Sequence, residues 1–421
     1  MLSFSRDFSF DATATQQRIM DDALLAIKEE NESGRIGYYT LPETSLALID
    51  ELEEYRKTNA LIAGGKIKDI VIIGIGGSSL GVKAIDSLLA SKSESAVTLH
   101  LFENSDPVNI SQTLSKLEKE SSLFIVISKS GGTIETTSIF KTIIAHFDLD
   151  LDAADKERVL VITDAGSSLS KFADSYSIKQ FNIPDNVGGR FSVLSAVGIV
   201  PLTLVGYDTK ALLSGAGEFL DRLFSGEEKH LLEKACYYYE NAKTLSINIL
   251  FSYDNDLENL TKWYVQLWGE SLGKIDSRGS SVGMTPIGLI GAVDQHSFLQ
   301  LVIEGPKDKT VTFITIDDFE NDLSIPDVSL RHIEKTDFIN GKTFNELINA
   351  QCAATRQSLR DNAVPTDGIR LSRINEENIG AMIIYYELLT SLTGSMLKIN
   401  TYDQPGVELG KQILYKNLET N

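Results

Sequence analysis

Short apolar runs alternate with amphipathic stretches between residues 68 and 182, and this alternation predicts a fold. The apolar runs cover residues 70–73, 97–102, 122–128, 158–163 and 178–182. Runs this short fit strands buried on both faces, the usual state of strands in a parallel sheet. Helical patterns separate them at 79–90, 107–119, 133–146 and 167–175. Strands that alternate with helices indicate a parallel sheet covered by helices on both faces.

The rest of the chain has more helical patterns and fewer clear strands. Strand patterns cover residues 244–251, 286–291 and 309–316. Helical patterns cover residues 13–33, 43–60, 194–242, 257–272, 343–363 and 375–398, and the tail LGKQILYKN. The second half is therefore also expected to be an α/β unit, which indicates a weak internal duplication. The order of the strands cannot be predicted from the sequence.

Composition narrows the possible functions. The chain has 421 residues, 42% of them hydrophobic and 23% charged, as in ordinary globular proteins. A formal net charge of −20 argues against nucleic acid or an anionic membrane as the main partner. Cys236 and Cys352 are far apart, so neither a disulfide framework nor a zinc site is expected. The N-terminus lacks the apolar core of a signal peptide and no run of eighteen apolar residues occurs, which predicts a cytoplasmic protein.

Two loops rich in glycine and serine follow predicted strands and indicate a phosphate site. Gly74-Ile-Gly-Gly-Ser-Ser-Leu-Gly81 follows the first strand of the alternating region, and Ser128-Lys-Ser-Gly-Gly-Thr133 follows the third. In both loops, small residues precede a helix N-terminus, where bare backbone N–H groups can bind an anion. Two such loops at strand ends suit one phosphate monoester held from two sides.

Two alternatives for the first loop stay open at this point. One is a tight turn without a ligand, and the second is a dinucleotide site with Glu103 as the ribose-binding acid. Against the dinucleotide site, Ser79 stands where the fingerprint G-x-G-x-x-G needs its third glycine. The chain also lacks a G-x-x-x-x-G-K-[ST] motif, so hydrolysis of a nucleoside triphosphate is not expected.

Three further stretches carry more polar chemistry than packing requires. Arg190 follows two glycines, and a fixed guanidinium there can approach a ligand closely. Gln266 and Glu270 are four residues apart and share one face of a helix. His296 follows the predicted strand 286–291. A surface salt bridge, an ordinary exposed pair and a structural histidine are the respective alternatives.

Six motifs, in this order along the chain, resemble those of the glucose-6-phosphate isomerase family. They are Gly74-Ile-Gly-Gly-Ser-Ser-Leu-Gly81, Ser128-Lys-Ser-Gly-Gly-Thr-Ile-Glu-Thr136, Val187-Gly-Gly-Arg-Phe-Ser192, Gly269-Glu-Ser-Leu-Gly-Lys274, Asp294-Gln-His-Ser297 and Asp403-Gln-Pro-Gly-Val-Glu-Leu-Gly-Lys411. The resemblance implies an α/β fold of two flavodoxin-like sugar-isomerase domains, each a mainly parallel sheet flanked by helices. It also implies reversible conversion of glucose 6-phosphate to fructose 6-phosphate through an enediol(ate), with no cofactor and no metal.

The resemblance also implies how the chain is divided and assembled. We expect an N-terminal helical segment at 1–65, a first sugar-isomerase domain with the phosphate loops at 66–208, and a second with the base and the histidine at 209–398. A C-terminal loop and helix should occupy 399–421. The expected assembly is a homodimer with shared active sites, with a hexose 6-phosphate as substrate and neither nucleic acid nor membrane as a partner.

Position by position, the resemblance implies a role for the motif residues. Glu270 matches the base that moves a proton between C2 and C1 of the opened sugar, and Arg190 matches the cation beside the enediolate oxygens. His296 and Lys411 match residues assigned to ring opening, and Gln266 matches a glutamine that contacts the substrate. The expected phosphate contacts are Gly77, Ser78, Ser128, Lys129, Ser130 and Thr133.

The chain departs from the family's pattern in two places. Ser130-Gly131-Gly132 replaces a Thr-Phe-Thr run of the animal relatives, but hydroxyls remain at 128, 130 and 133, so phosphate binding should survive. Pro405 stands where many relatives have an aromatic residue.

A relative that also isomerises mannose 6-phosphate is one alternative, although Gln266 favours the strict glucose enzyme. The other is a sugar-phosphate-binding regulator without catalysis, which would not need the base, arginine, histidine and lysine together.

Overall fold

The computed structural model describes residues 2–419, and its first β-sheet coincides with the strands predicted between residues 68 and 182. The strands are β2 (Asp69–Ile73), β3 (Thr98–Phe102), β4 (Ser122–Ile127), β5 (Val159–Asp164) and β6 (Lys179–Ile183). They are all parallel and lie in the order β3-β2-β4-β5-β6. Every residue of β4, in the middle of the sheet, is buried, as expected for a strand with helices on both faces.

The helices that connect these strands are also close to the predicted ones. They are α5 (Leu80–Leu89), α6 (Pro107–Leu114), α7 (Ile134–Phe147) and α8 (Ser168–Tyr176). The helix predicted at 107–119 ends early, because after Leu114 the chain turns so that Leu117 also enters the core. A 3₁₀ turn at Lys119–Ser121 then leads into β4.

The second sheet also has five strands, of which four are parallel. They are β1 (Leu2–Arg6), β7 (Ile247–Ser252), β10 (Thr285–Ile290), β11 (Lys309–Asp318) and β12 (Thr366–Arg373). Their order is β1-β12-β11-β7-β10, and only the edge strand β1 is antiparallel. A short hairpin of β8 (Lys274–Ile275) and β9 (Ser281–Val282) lies apart from both sheets.

Strands β1 and β12 were not predicted from the sequence. β12 contains Asp367, Gly368 and two arginines, so its sequence lacks the apolar pattern from which a strand is predicted. Asp367 is nevertheless buried, because it forms an ion pair with the buried ammonium of Lys234 at 2.5 Å. β1 lies in the part of the chain expected to be helical and is held by pairing with β12.

The two sheets share one strand order. Counted along the chain, the parallel strands of each sheet lie in the order second, first, third, fourth, and the first sheet adds a fifth. This is the flavodoxin-like order. It confirms the predicted fold class of two mainly parallel sheets flanked by helices.

The remaining helices lie before, between and after the sheets. They are α1 (Ala14–Glu32), α2 (Leu41–Thr44), α3 (Leu46–Thr58), α4 (Ala60–Ala63), α9 (Ala196–Val205), α10 (Thr209–Phe224), α11 (Lys229–Asn241), α12 (Glu258–Leu272), α13 (Leu299–Glu304), α14 (Phe344–Asp361), α15 (Glu376–Leu397) and α16 (Glu408–Glu419). The helix predicted at 43–60 is divided at Ser45 into α2 and α3, and α3 ends at Thr58 because Asn59 is extended and its side chain caps α4. None of the helices within residues 2–419 is long and apolar enough to span a membrane.

Helix α15 is the central element of the core and packs against α1, α10, α11 and α12. Two glycines permit its close approach to α10. A methyl group on Gly380 would lie 1.9 Å from the carbonyl oxygen of Leu212, and one on Gly215 would lie 2.0 Å from that of Glu377. The backbones therefore touch where any side chain would separate them.

One carboxyl group inside this core has no partner. Glu387 of α15 is completely buried, and neither of its carboxylate oxygens has a hydrogen-bond partner within residues 2–419. Burial disfavours the charged form and raises the pKa of Glu387 well above its ordinary value. The native protein therefore holds this carboxyl group in its neutral form at pH values where the unfolded chain ionises it.

A stability measurement tests this state. Glu387 must take up a proton when the chain folds at neutral pH. The free energy of unfolding therefore falls as the pH rises above the ordinary pKa range of glutamate. Glu387→Met should raise the free energy of unfolding, and the gain should grow between pH 5 and 8 by up to about 1.4 kcal/mol per pH unit. Chemical denaturation across this range measures it. The exposed Glu218→Met is the control, and a gain independent of pH would contradict the assignment.

Candidate active site

The two predicted phosphate loops meet at one edge of the first sheet. The first follows β2 and the second follows β4, which are neighbouring parallel strands, so both loops leave the sheet at the same edge. The chain reverses its direction of sheet building between these strands, and ligands bind at such a switch point. Gly76 has a φ of +61° in the turn Gly76–Ser78, a conformation that only glycine adopts at little cost.

The second loop gathers its hydroxyl groups. The hydroxyl oxygens of Ser128 and Thr133 are 2.9 Å apart, and the backbone N–H of Gly132 donates to the hydroxyl of Ser130 at 3.4 Å. Gly131, with a φ of +71°, lets the loop rest on Ser167, whose hydroxyl would be 2.7 Å from an added methyl group. The loop opens into the N-terminus of α7, whose first N–H groups favour an anion.

Lys129 points away from these hydroxyls. Its ammonium lies 3.3 Å from the carboxylate of Asp164 and donates to the carbonyl oxygen of Asp185 at 3.2 Å. It thus ties the loop to the chain after β6. A contact between Lys129 and a phosphate stays a prediction.

The dinucleotide alternative finds no support in this geometry. Glu103, its ribose-binding acid, forms an ion pair with Lys83 of α5. The sheet also has the flavodoxin-like strand order and not that of a Rossmann domain.

Arg190 lies against the first loop. It belongs to a 3₁₀ turn, Gly189–Phe191, that packs onto the turn Gly76–Ser78. The two backbones are so close that a methyl group on Gly77 would lie 2.4 Å from the carbonyl oxygen of Gly189. The sequence predicted both motifs, and the fold brings them into contact.

The guanidinium of Arg190 uses every N–H group on protein acceptors. Nε donates to the Ser271 hydroxyl at 2.6 Å, and Nη2 donates to the carbonyl oxygens of Thr401 at 2.6 Å and Asp403 at 3.1 Å. Nη1 donates to the side-chain oxygen of Gln404 and lies 3.5 Å from a carboxylate oxygen of Glu270.

The environment of Arg190 acts on its pKa in two directions. Burial, with the residue only 2% exposed, lowers the pKa, while the carboxylates of Glu270 and Asp403 oppose this. A guanidinium stays charged under such conditions because its ordinary pKa is so high. The site therefore contains a permanent, immobilised positive charge.

Gln266 and Glu270 lie on one face of α12, as predicted, and point toward this charge. The Gln266 amide nitrogen donates to a Glu270 carboxylate oxygen at 3.2 Å. The same nitrogen would be 3.0 Å from a methyl group on Gly76, so Gln266 reaches the first phosphate loop as well. Glu270 lines an open cleft of about 650 Å³, together with Lys274, Gln404 and other residues of the 400–407 segment.

Lys274 was missed as a site residue by sequence reasoning. Its ammonium donates to the carbonyl oxygens of Glu270 at 2.5 Å and Ser271 at 2.9 Å, and lies 3.8 Å from the carboxylate of Asp403. Burial and the nearby Arg190 lower its pKa to about 8. The only signal in the sequence was its place at the end of the motif Gly269–Lys274.

His296 is not brought to Glu270 within one chain. It is exposed, on a turn after β10, and Asp294 of the same turn shares a cleft with Glu258 at the start of α12. Glu270 lies twelve residues further along this helix, which places it about 18 Å from the histidine end.

Lys411 is likewise apart from Glu270 and Arg190. It lies on the exposed helix α16, where its ammonium pairs with Glu408 at 2.8 Å. The helix reaches the second phosphate loop, because the Tyr415 hydroxyl donates to the carbonyl oxygen of Gly132 at 3.4 Å.

Comparison with known proteins identifies the same family over most of the chain. The family model described as phosphoglucose isomerase matches residues 50–420. The glucose-6-phosphate isomerase of Campylobacter jejuni is 46% identical over 93% of this chain and 94% of its own length. That of Rubrobacter xylanophilus is 35% identical over 91% of this chain and 89% of its own length.

Solved structures show the same architecture. A hypothetical protein from Thermus thermophilus has a TM-score of 0.90 at 31% identity, covering 99% of this chain and 100% of its own. A glucose-6-phosphate isomerase from Chlamydia trachomatis has a TM-score of 0.83 at 22% identity, covering 100% of this chain and 88% of its own. At that identity, the second comparison supports the fold alone.

The contact between Gly77 and Gly189 can be tested by one methyl group. In Gly77→Ala the new atom meets rigid backbone, so the turn that carries Arg190 must move. A displacement of about 1 Å at a reacting group can lower the rate about 100-fold, and we expect a fall in kcat/KM of that order. Gly217→Ala on α10 is the control, since its methyl group meets only an ordinary contact at 3.5 Å. An unchanged kcat/KM in Gly77→Ala would show that this contact does not matter.

Proposed function

The chain belongs to the phosphoglucose isomerase family and interconverts glucose 6-phosphate and fructose 6-phosphate, and we propose that Glu270 carries the proton in this reaction. The observation that supports this role is the cleft itself. Glu270 is a carboxylate open to a cavity large enough for a sugar phosphate, one helical turn from Gln266 and 3.5 Å from a buried guanidinium. The conversion is a step of glycolysis and of gluconeogenesis.

The chemistry requires these residue types. Removal of the proton from the carbon next to a carbonyl group leaves an enediolate, whose negative charge needs a donor already in place. Arg190 meets this need with a positive charge that is permanent and is held in position by five hydrogen bonds. The carboxylate of Glu270 takes the proton from one carbon and returns it to the neighbouring one. General base catalysis of this kind supplies ~100- to 10,000-fold.

The phosphate belongs in the two loops at the switch point. In the second loop the hydroxyls of Ser128 and Thr133 adjoin each other and that of Ser130 faces the N–H of Gly132, and Gly77 and Ser78 lie in the turn of the first. Gln266 spans the distance between the first loop and Glu270. A substrate held at its phosphate would therefore extend toward the base.

We propose that the enzyme is a homodimer in which His296 serves the partner's site. The support is geometric, because the turn of His296 lies near the start of α12, whereas Glu270 lies in the last turn of that helix. The turn that carries His296 also exposes a large apolar side chain, that of Val293, which is 66% exposed. A two-fold pair would bury such a surface and place each histidine reciprocally.

Ring opening, location and domain division complete the proposal. His296 and Lys411 open the pyranose before the proton transfer, and a histidine near neutral pH suits that task. Since Gln266 lies beside the base, we propose that glucose 6-phosphate is preferred over mannose 6-phosphate. The division at residues 66–208 and 209–398 is retained, with the cytoplasm as the location of the enzyme.

The role of Glu270 is tested by removing only its ability to accept a proton. Glu270→Gln keeps the size of the side chain, and isomerisation should fall by at least ~100-fold while binding of the sugar phosphate persists. A coupled assay with fructose 6-phosphate measures the rate, and titration calorimetry measures the binding. Glu258→Gln, an exposed glutamate on the same helix, is the matched control. Near-normal turnover in Glu270→Gln would exclude this residue as the base.

Sharing of the sites is tested by mixing two inactive proteins. Glu270→Gln and His296→Ala are unfolded together and refolded as a mixture. In a mixed dimer with shared sites, one site collects both defects and the other collects none. About a quarter of the wild-type activity should therefore return. If subunits demonstrably exchange and no activity returns, His296 does not act in the partner's site.

A further inference from the structure

The loop of residues 400–404 separates two clefts. On one side lies the cleft of about 650 Å³ that contains Glu270, and on the other a cleft of about 570 Å³ that is lined by Glu30 and Arg35. Asn400 and Asp403 line both. Between these two open spaces, the middle of the loop is held by Thr401, which is buried, and by Tyr402, whose ring packs on Phe191.

Tyr402, in the middle of the loop, also forms hydrogen bonds. Its hydroxyl donates to a carboxylate oxygen of Glu30 at 2.6 Å, and its oxygen lies 3.1 Å from the hydroxyl oxygen of Ser391. Tyr39 donates to the same oxygen of Glu30 at 2.9 Å, and Tyr38 shares a hydrogen bond with Ser391 at 2.8 Å. The loop is thereby joined to α1 and α15, two elements that do not line the active-site cleft.

The two neighbours of Tyr402 in sequence hold the arginine. The carbonyl oxygens of Thr401 and Asp403 are the two acceptors of Arg190 Nη2. The ring of Phe191 packs against those of Tyr38 and Tyr402, with centroids 4.9 and 5.4 Å away, so the residue after Arg190 contacts the same cluster. Movement of Tyr402 would shift both carbonyls and, with them, the guanidinium.

We propose that Tyr402 and Glu30 are positioning residues for Arg190, and that their hydrogen bond sets the direction in which the guanidinium faces the reaction intermediate. With Nη2 held by the two carbonyls, Nη1 is the nitrogen turned toward Glu270 and the cleft. This inference depends on the proposed role of Arg190 beside the enediolate. It adds that the hydroxyl group of Tyr402, which touches no reacting atom, contributes to the rate.

The test separates this role from a purely structural one by two inhibitors. One is a phosphorylated five-carbon hydroxamate, whose planar pair of oxygens resembles the enediolate. The other is sorbitol 6-phosphate, which has the phosphate and the hydroxyls but no such oxygens. In Tyr402→Phe, kcat and the affinity for the hydroxamate should each fall about tenfold, because both depend on the orientation of the guanidinium. KM and the affinity for sorbitol 6-phosphate should stay within about twofold.

A second variant and a control accompany it. Glu30→Ala removes the common acceptor and should give the same pattern as Tyr402→Phe. Tyr55→Phe removes another buried hydroxyl, which accepts a hydrogen bond from Asn59 far from the cleft, and should change neither inhibitor's affinity. Equal weakening of both inhibitors, or an unchanged kcat, in Tyr402→Phe and Glu30→Ala would overturn the inference.

Arg190→Ala distinguishes failure of this inference from failure of the proposed function. If Arg190→Ala is impaired and Tyr402→Phe adds no further loss in that background, the hydroxyl acts through the arginine. If the two losses multiply, it acts independently and the inference is wrong. Full activity of Arg190→Ala itself would instead remove the proposed role of the arginine.

Discussion

The buried guanidinium of Arg190 is the interaction on which the site depends. It joins the turn at Gly189–Phe191, the end of α12 at Ser271 and the loop of residues 401–404. A buried charge that loses its partner costs about 3–5 kcal/mol, so these three segments cannot separate without a large loss of stability. Because Ser271 is fixed by this contact, the preceding residue, Glu270, is fixed beside the cation. The proposed base and the fixed charge are thus placed by a single arrangement.

The two sheets contribute different parts of the proposed site around Arg190. The switch point of the first sheet carries the two loops proposed for the phosphate, and α12 carries Glu270, the proposed base. The same helix begins near the turn of His296 and carries Glu270 in its last turn, about 18 Å along the helix axis from Glu258. A rigid helix cannot bring its two ends together. This separation is the reason for proposing a dimer, in which His296 of a second chain would enter the cleft.

The parts of the site that depend on local sequence patterns were predictable. The loops at Gly74–Gly81 and Ser128–Thr133 follow apolar strands, and their chemistry is visible in their residues. Strand β12 was not predictable, because Asp367 looks like a surface residue until it is paired with the buried Lys234. Lys274 and Tyr402 gave no signal of their own either. Their importance arises from contacts between segments more than a hundred residues apart, which no local pattern contains.

The N-terminal helical segment becomes part of the site by the same reasoning. Its helix α1 belongs to neither sheet and lines no part of the cleft of Glu270, yet Glu30 at its end accepts hydrogen bonds from both Tyr39 and Tyr402. The cleft beside Glu270 must stay open for the substrate. Side chains on that side therefore cannot hold the loop of residues 400–404. On its other side, Tyr402 holds it by packing on Phe191 and by its hydrogen bond to Glu30. A carboxylate that accepts from two tyrosines supplies strong, directional bonds, because charged acceptors bind roughly twice as strongly as neutral ones.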